Sequence, residues 1–153
     1  MMNDKSRQIA IHSVGNALSP WVNSGVQHYQ QQCKKWVQLE HHQWQKIPNT
    51  PEEHWHKLSK KLDKNHLMIS LDVKGKPLDS YEFSDLLRKS LDQSSLSFII
   101  GGAFGLSPEC IQASHRTWSL SNLTYSHTLI PIILAEQIYR GMSLIHRHPY
   151  HKS

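Results

Sequence analysis

The sequence predicts an α/β fold in which a mainly parallel sheet carries helices on both faces. Segments typical of strands alternate with segments typical of helices along the chain, which is the order found where helical crossovers join parallel strands. The 153 residues, 38% of them hydrophobic, suffice for one packed core, and no repeat or long linker divides them. We therefore expect a single domain over residues 1–153.

The first half of the chain predicts three strands and two helices. The strands are expected at Gln8 to Val14, Leu39 to Ile47 and His66 to Leu71, the second being a polar edge strand. A helix from about Pro20 is expected to place these residues near one face: Trp21, Val22, Val26, Tyr29, Cys33, Trp36 and Val37. A second helix is expected over Glu52 to Leu62. The polar stretch His41 to Glu53 contains two prolines and is expected to form a surface loop.

The second half predicts three helices and two strands. The helices are expected at Tyr81 to Leu91, after Ser107 and over Leu129 to Ile145, and the strands at Leu96 to Ile100 and Thr117 to Leu120. Ser107 is a suitable N-cap because Pro108 follows it at the first helical position and Glu109 lies in the positive first turn.

The last helix is too apolar for one buried stripe. It carries Leu129, Ile130, Ile132, Ile133, Leu134, Ile138, Met142, Leu144 and Ile145, so it should be buried on more than one side. In so small a protein we interpret this as a homodimer interface; the alternative is a central core helix of a monomer.

Charge and targeting signals favour a cytosolic protein with a polyanionic partner. The N-terminus lacks the apolar region of a signal peptide, and the apolar runs are too short to cross a membrane. Lysine and arginine number 17 against 12 acidic residues, and 12 histidines can add charge near phosphate. A surface that is merely basic fits these numbers equally well. Cys33 and Cys110 lack metal-ligand spacing and are interpreted as reduced packing residues.

Three loops are expected at the carboxyl ends of strands, where ligands bind in open α/β sheets. They are Leu71 to Lys76, Gly101 to Leu106 and Leu120 to Tyr125. Glycines in the second loop would let backbone groups approach a ligand such as an adenine edge. That loop has neither the Walker pattern nor the spacing of the dinucleotide fingerprint, and a tight strand-to-helix turn explains it as well.

Hydrolytic and metal chemistry have no support in the sequence. No nucleophile, histidine and acid are arranged recognisably, and the carboxylates form no pair. His146, His148 and His151 are close together, but Pro149 interrupts any helix there and no cysteine or carboxylate ligand adjoins them. We expect no metal.

The motifs of the second half resemble the small ribosomal RNA pseudouridine N3-methyltransferases of the SPOUT superfamily. Ile69 to Lys76 is similar to the family's Leu-Asp-x-x-Gly-Lys segment, and Ile99 to Ser107 to its Ile-Gly-Gly-x-x-Gly-Leu-Ser loop. Further similar segments are Trp118 to Ser121, His127, Ala135 to Arg140 and His148 to Lys152. The resemblance is close from Ser70 to Lys152 and only general before it.

This resemblance implies a C-terminal trefoil knot, S-adenosylmethionine as cofactor and a homodimer that methylates N3 of a pseudouridine in large-subunit (23S) ribosomal RNA, free or in the ribosome. The cofactor-binding residues that it implies are Leu71, Gly101, Leu120, Ser121, Asn122, Leu123, Thr124 and Tyr125. The tail of one subunit would reach the partner's pocket. Tyr150 and His151 are therefore the implied catalytic residues.

Several residues depart from the family pattern Pro-His-x-Leu-x-Arg at the last helix. Ser126 replaces the proline and Pro131 replaces the arginine, so a cationic group is lost; Pro131 is tolerable if Thr128 caps the helix. Three interpretations therefore stay open: an active ribosomal RNA methyltransferase, a catalytically weakened protein of the same fold that binds RNA or cofactor, and an unrelated α/β enzyme that uses another nucleotide.

Overall fold

A five-stranded, wholly parallel sheet forms the centre of the computed structural model, which describes residues 7–44 and 50–152. Its strands are β1 (Gln8–Val14), β2 (Gln38–Trp44), β3 (Leu67–Pro77), β4 (Leu96–Ile100) and β5 (Arg116–Ser119). They lie in the order β2-β1-β4-β3-β5, and every neighbouring pair is parallel. The predicted parallel sheet is confirmed, with β2 at an edge as expected.

Helices cover both faces of the sheet, as predicted. They are α1 (Pro20–Cys33), α2 (Pro51–Ser59), α3 (Ser80–Gln93), α4 (Pro108–Ala113) and α5 (Ile130–Ile145). Helices α1, α3 and α5 pack together over the larger apolar core, while α2 and α4 cover a smaller core around Leu58, Ile99 and Cys110 on the other face. Ser107 caps α4 as expected, since its Oγ accepts a hydrogen bond from the Cys110 amide at 3.1 Å.

Helix α5 lies between α1 and α3 on the sheet, and none of its residues is fully exposed. Two glycines permit this close packing: a Cβ on Gly25 of α1 would overlap Ile132, and one on Gly141 would stand 3.2 Å from Leu87 of α3. One chain therefore already accounts for the apolar residues on several sides of α5. The homodimer stays a prediction that needs other support.

Four local expectations are wrong. Trp21 is 63% exposed rather than inward, and Trp36 and Val37 are buried but lie beyond the end of α1. Of the expected loop from His41 to Glu53, residues 41–44 belong to β2 and residues 51–53 to α2, while 45–49 lie outside the described residues. Thr128 bonds to Ser126 instead of capping α5, whose N-cap is Leu129. The cap is not needed for Pro131, which lies in the first turn, where amides have no helical partner.

Strand β3 runs beyond its predicted end and shapes the edge of the sheet. Its pairing with β5 is irregular between Leu71 and Lys76, and both residues align with Trp118. Gly75 allows β3 to pair with β5 again after this irregularity, because a Cβ there would stand 2.7 Å from the backbone of Trp118. The intervening segment 72–74 bulges out beside the carboxyl end of β5.

Candidate functional site

A cavity of about 170 Å³ lies at the carboxyl ends of β3, β4 and β5, and we call it the strand-end cavity. It is lined by residues 71–73 of β3, residues 100–102 and 105–106 after β4, and residues 119–125 without Asn122 after β5. His127 and Ile130 close it at the start of α5. The three segments thus converge as the sequence predicts, although the first, Leu71 to Lys76, is part of β3 rather than a loop.

Seven of the eight residues expected to bind a cofactor line this cavity: Leu71, Gly101, Leu120, Ser121, Leu123, Thr124 and Tyr125. Asn122 lies in the same loop but does not line the cavity. Their role in binding stays a prediction, whereas their convergence is a property of the fold.

The loop after β4 is a tight turn built on glycines. The Gly105 amide donates to the Gly102 carbonyl at 3.0 Å, and Gly105 has a φ of 78°, which favours glycine. A Cβ on Gly101 would stand 2.5 Å from the carbonyl carbon of Gly105, and one on Gly102 would stand 3.2 Å from the Val14 carbonyl oxygen. The lack of a side chain at Gly101 therefore lets the loop close on itself. The sequence had predicted a different role for the glycine, in which it lets the backbone approach a ligand.

The loop after β5 is held by its own hydrogen bonds. Ser119 Oγ donates to the Ser121 carbonyl at 3.0 Å, and the Leu123 amide donates to Ser121 Oγ at 3.0 Å. These bonds fix the backbone while the Leu123 side chain stays 69% exposed. A preformed loop with an exposed apolar side chain is suited to ligand contact.

Exposed apolar side chains surround the mouth of the cavity. Val73 and Leu123 line the cavity and are each more than two-thirds exposed, and Phe104, exposed to a similar extent, belongs to the loop after β4. Tyr125 is also exposed. Large exposed apolar groups that cluster around a cavity are typical of a binding site.

Besides Ser119, two polar residues at the cavity were absent from the predicted set. Asp72 follows Leu71 and supplies a half-buried carboxylate, and His127 supplies a half-buried imidazole beside Gly15 at the end of β1. Both lie within segments that resemble the family motifs. The similarity of these segments to the family motifs could have identified Asp72 and His127 from the sequence. The spacing of the two residues does not by itself indicate a function.

The predicted catalytic residues lie outside the strand-end cavity of their own chain. The tail, residues 148–152, folds back on α5, where Tyr150 donates to Glu136 Oε1 at 3.3 Å and its ring lies 4.5 Å from that of Tyr139. Burial raises the pKa of Tyr150, so the phenol stays protonated and acts as a donor.

His151 is held by the guanidinium of Arg140, which donates to His151 Nδ1 at 3.0 Å. Arg140 is itself paired with Glu136 at 2.6 Å. Because arginine can only donate, His151 Nδ1 is the acceptor and the proton of the neutral ring resides on Nε2. In this arrangement His151 offers an N–H donor and no free proton acceptor.

The other C-terminal histidines pack against Trp36 and form no metal site. The ring of His146 stacks on that of Trp36 at 5.2 Å, and His148 meets it edge-on at 5.6 Å. Burial lowers the pKa of His146. Within residues 7–44 and 50–152, no three His, Cys, Asp or Glu side chains are grouped so as to hold a metal ion.

Both cysteines are buried and unpaired. Burial raises the pKa of Cys33 to about 12 and that of Cys110 to about 11, so both remain thiols at neutral pH. This agrees with their interpretation as packing residues.

Sequence comparison relates the whole chain to methyltransferases. A model of the family described as "Predicted SPOUT methyltransferase" matches residues 7–151. A protein named Ribosomal RNA large subunit methyltransferase H from Legionella pneumophila (strain Paris) is 37% identical over 95% of this chain and 99% of the relative. The protein of the same name from Acholeplasma laidlawii (strain PG-8A) is 35% identical over the same shares.

Solved structures share the fold at low sequence identity. A probable methyltransferase from Bordetella pertussis Tohama I superposes with a TM-score of 0.61 at 14% identity, covering 92% of this chain and 98% of that chain. A putative methylase family protein from Neisseria gonorrhoeae gives a TM-score of 0.60 at 10% identity, covering 99% of each. In the described part of this chain, no helix is long and apolar enough to cross a membrane.

Proposed function

Since the chain belongs to the SPOUT methyltransferase family, we propose that it transfers a methyl group from S-adenosylmethionine to N3 of a pseudouridine in large-subunit (23S) ribosomal RNA. The observation that most strongly supports this proposal is the strand-end cavity, which is formed by the same motifs that resemble the family. Relatives named for large-subunit ribosomal RNA support the substrate. The family match leaves no reason to retain an unrelated nucleotide-dependent enzyme.

The strand-end cavity fits the proposed cofactor by its chemistry. Apolar side chains such as Leu71, Leu120 and Ile130 can cover an adenine ring, and loop backbones supply amides and carbonyls to read its edge. A Cβ on Gly105 would meet nothing within 4 Å, so this glycine faces open space. We assign Leu71, Gly101 and the lining residues between Leu120 and Tyr125 to cofactor binding. When bound, S-adenosylmethionine supplies a methyl group activated on a sulfonium.

Tyr150 and His151 are proposed to act as hydrogen-bond donors to the target base. Loss of the N3 proton leaves negative charge on the flanking carbonyl oxygens, and oriented O–H and N–H donors stabilise such charge. The Nε2–H of His151 is a donor of this kind, and the Tyr150 phenol becomes one when the base replaces Glu136 as its acceptor. Glu136 and Arg140 orient them, since each contacts one of the two side chains.

A homodimer is proposed because the tail does not line the cavity of its own chain. Trp21 is exposed, and it shares a helix face with Gly25, which packs on Ile132 of α5. This apolar surface beside α5 is a candidate for a two-fold interface. Pairing there would carry the tail, still seated on α5, toward the partner's cavity. We also propose the trefoil knot, on the strength of family membership alone.

The test is a methyl-transfer assay with labelled S-adenosylmethionine and ribosomes from cells that lack this gene. Label in 23S RNA is the expected result. Absence of transfer together with normal calorimetric binding of S-adenosylmethionine would support the second function, a weakened cofactor- or RNA-binding protein. The observation that favours this second function is the buried Pro131, which replaces a cationic residue of the family pattern. A ribosomal substrate also implies a cytoplasmic protein.

A further inference from the structure

A group of lysines lies in the last turn of α2 and just beyond it, and we call this group the lysine ridge. It consists of Lys57, Lys60, Lys61 and Lys64, all of them exposed. None takes part in an ion pair with the residues that the structure describes. The ridge is therefore a concentration of uncompensated positive charge on the α2 face of the sheet.

The acidic side chains near the ridge do not neutralise it. Glu52 and Glu53 occupy the first turn of α2, at the opposite end of the helix. Asp63 lies within the ridge and keeps its negative charge while its carboxylate accepts from the Asn65 amide at 2.9 Å, so one carboxylate faces four lysines. The ridge thus stays available to an anionic partner.

A second cavity, of about 230 Å³, opens beside the ridge between α2 and the start of β5. Trp55, His66 and His115 contribute aromatic rings to it, and Lys64 of the ridge lines it. His115 Nδ1 accepts from the Met68 amide at 2.9 Å. The neutral ring then carries its proton on Nε2, and this N–H is left for a ligand.

A narrow cleft of about 10 Å³ lies between the second cavity and the strand-end cavity, where α2 meets α4. It shares Gly101 and Gly105 with the strand-end cavity and Trp55 with the second cavity. The cleft is too small for a nucleotide, so a flexible polymer bound at the strand-end cavity would reach the lysine ridge by passing over the outer surface between α2 and α4.

We propose that the lysine ridge and the second cavity form a docking surface for a single-stranded segment of RNA. The ridge contacts its phosphates and the second cavity accepts one unpaired base. Proteins bind single strands with such a combination of positive charge, which follows the backbone, and aromatic rings, on which bases stack. The inference rests on the proposed function, because it takes the substrate to be RNA.

The ridge is tested by the salt dependence of binding to a labelled, unstructured RNA oligonucleotide, measured by fluorescence anisotropy on the full chain. For Lys57→Gln/Lys60→Gln we expect the slope of log affinity against log salt to fall by about 1.4, or 0.7 for each lost phosphate contact. The control Lys34→Gln/Lys89→Gln removes the same charge from exposed sites on the other helical layer. It should keep the wild-type slope.

The second cavity is tested by His115→Asn, whose amide oxygen can still accept from the Met68 amide. Loss of the free N–H and of the stacking ring should weaken RNA binding by about fivefold or more with an unchanged salt slope. Wild-type affinity and slope in both the ridge and the His115 variants would overturn the proposal. So would weakened binding to ribosomes with unchanged binding to free RNA, since that result would indicate a protein partner.

Methyl transfer measured on the same variants separates this proposal from the function on which it rests. Transfer by the wild type, with RNA binding unaffected by the ridge variant, would overturn the docking surface alone. Absence of transfer by the wild type, with a reduced salt slope in the ridge variant, would support the docking surface and contradict the enzyme.

Discussion

Gly101 and Gly105 approach each other so closely that a Cβ on Gly101 would stand 2.5 Å from the carbonyl carbon of Gly105. Contact at this distance is forbidden, so any side chain at Gly101 forces the loop after β4 to move. The moving loop forms one wall of the strand-end cavity. A side chain at Gly101 should therefore distort the strand-end cavity.

We expect Gly101→Val to abolish binding of S-adenosylmethionine while the chain stays folded, because the clash is confined to a loop at the end of β4. Isothermal titration calorimetry measures the affinity, and circular dichroism checks the fold. Ala103→Val is a matched control, since Ala103 is exposed at the tip of the same turn and should keep wild-type affinity. Unchanged affinity in folded Gly101→Val would remove this loop from the site.

Deleting residues 150–153 should reduce methyl transfer by about a hundredfold, the scale typical of losing one donor that stabilises developing negative charge. Cofactor affinity should stay nearly intact, because Tyr150 and His151 are proposed to act on the target base, while the cofactor is assigned to the loops of the strand-end cavity. Deleting only residues 152–153 is the control that keeps both side chains. Full activity of the longer truncation would exclude a catalytic role for the tail.

Mixing the truncated chain with the Gly101→Val chain tests whether the tail serves the partner. In a mixed dimer the intact cavity belongs to the truncated chain, and the intact tail comes from the other chain. Recovered activity in the mixture is expected. A mixture as inactive as its two components would contradict a site shared between subunits.

Light scattering should report a dimer at micromolar concentration, and Trp21→Ser should shift it toward monomer. The physical reason is that Trp21 exposes a large apolar ring beside α5. Phe104→Ser is the control, because it removes another exposed aromatic ring, from the loop after β4 instead of from α1. A wild-type monomer would contradict both the interface and the shared site.

The free energy of unfolding should decrease as the pH is lowered from about 6.5 to about 4. Burial, and then the charge of His42, lowers the pKa of His12 to about 4, and the same causes lower the pKa of His41 to about 4. The folded state therefore binds fewer protons than the unfolded state in this window, and the stability present above pH 6.5 is lost on acidification. Each histidine contributes on the order of 2 kcal/mol.

Urea unfolding across this pH window measures the effect. His12→Asn should flatten the dependence, because the asparagine oxygen can accept from Trp44 Nε1 as His12 Nδ1 does at 3.1 Å without titrating. His56→Asn, at an exposed histidine on α2, should leave the dependence unchanged. If the free energy of unfolding depended on pH equally in the wild type and in His12→Asn, His12 would not be the cause of the pH dependence.

Local features of the fold could be predicted from the sequence, whereas long-range contacts could not. The start of α4 was predictable because Ser107 and Pro108 act within one turn. The position of α5 between α1 and α3 was not, since apolar residues on several sides fit a dimer interface equally well.

The candidate site likewise has parts that could be predicted from the sequence and parts that could not. Glycine-rich and motif-bearing loops predicted the strand-end cavity, because parallel strands present their carboxyl ends at one edge. The contacts of the tail with Glu136 and Arg140 depend on how the chain turns back after α5, and no pattern indicated them. Likewise, only the fold brings Trp55 and His115 to the same cavity.

Mass spectrometry of 23S ribosomal RNA from cells with and without this gene shows whether the chain methylates a pseudouridine. We expect an N3-methylated pseudouridine that disappears with the gene and returns with the wild-type chain but not with Gly101→Val. An identical set of methylated nucleotides in both cell lines would contradict it.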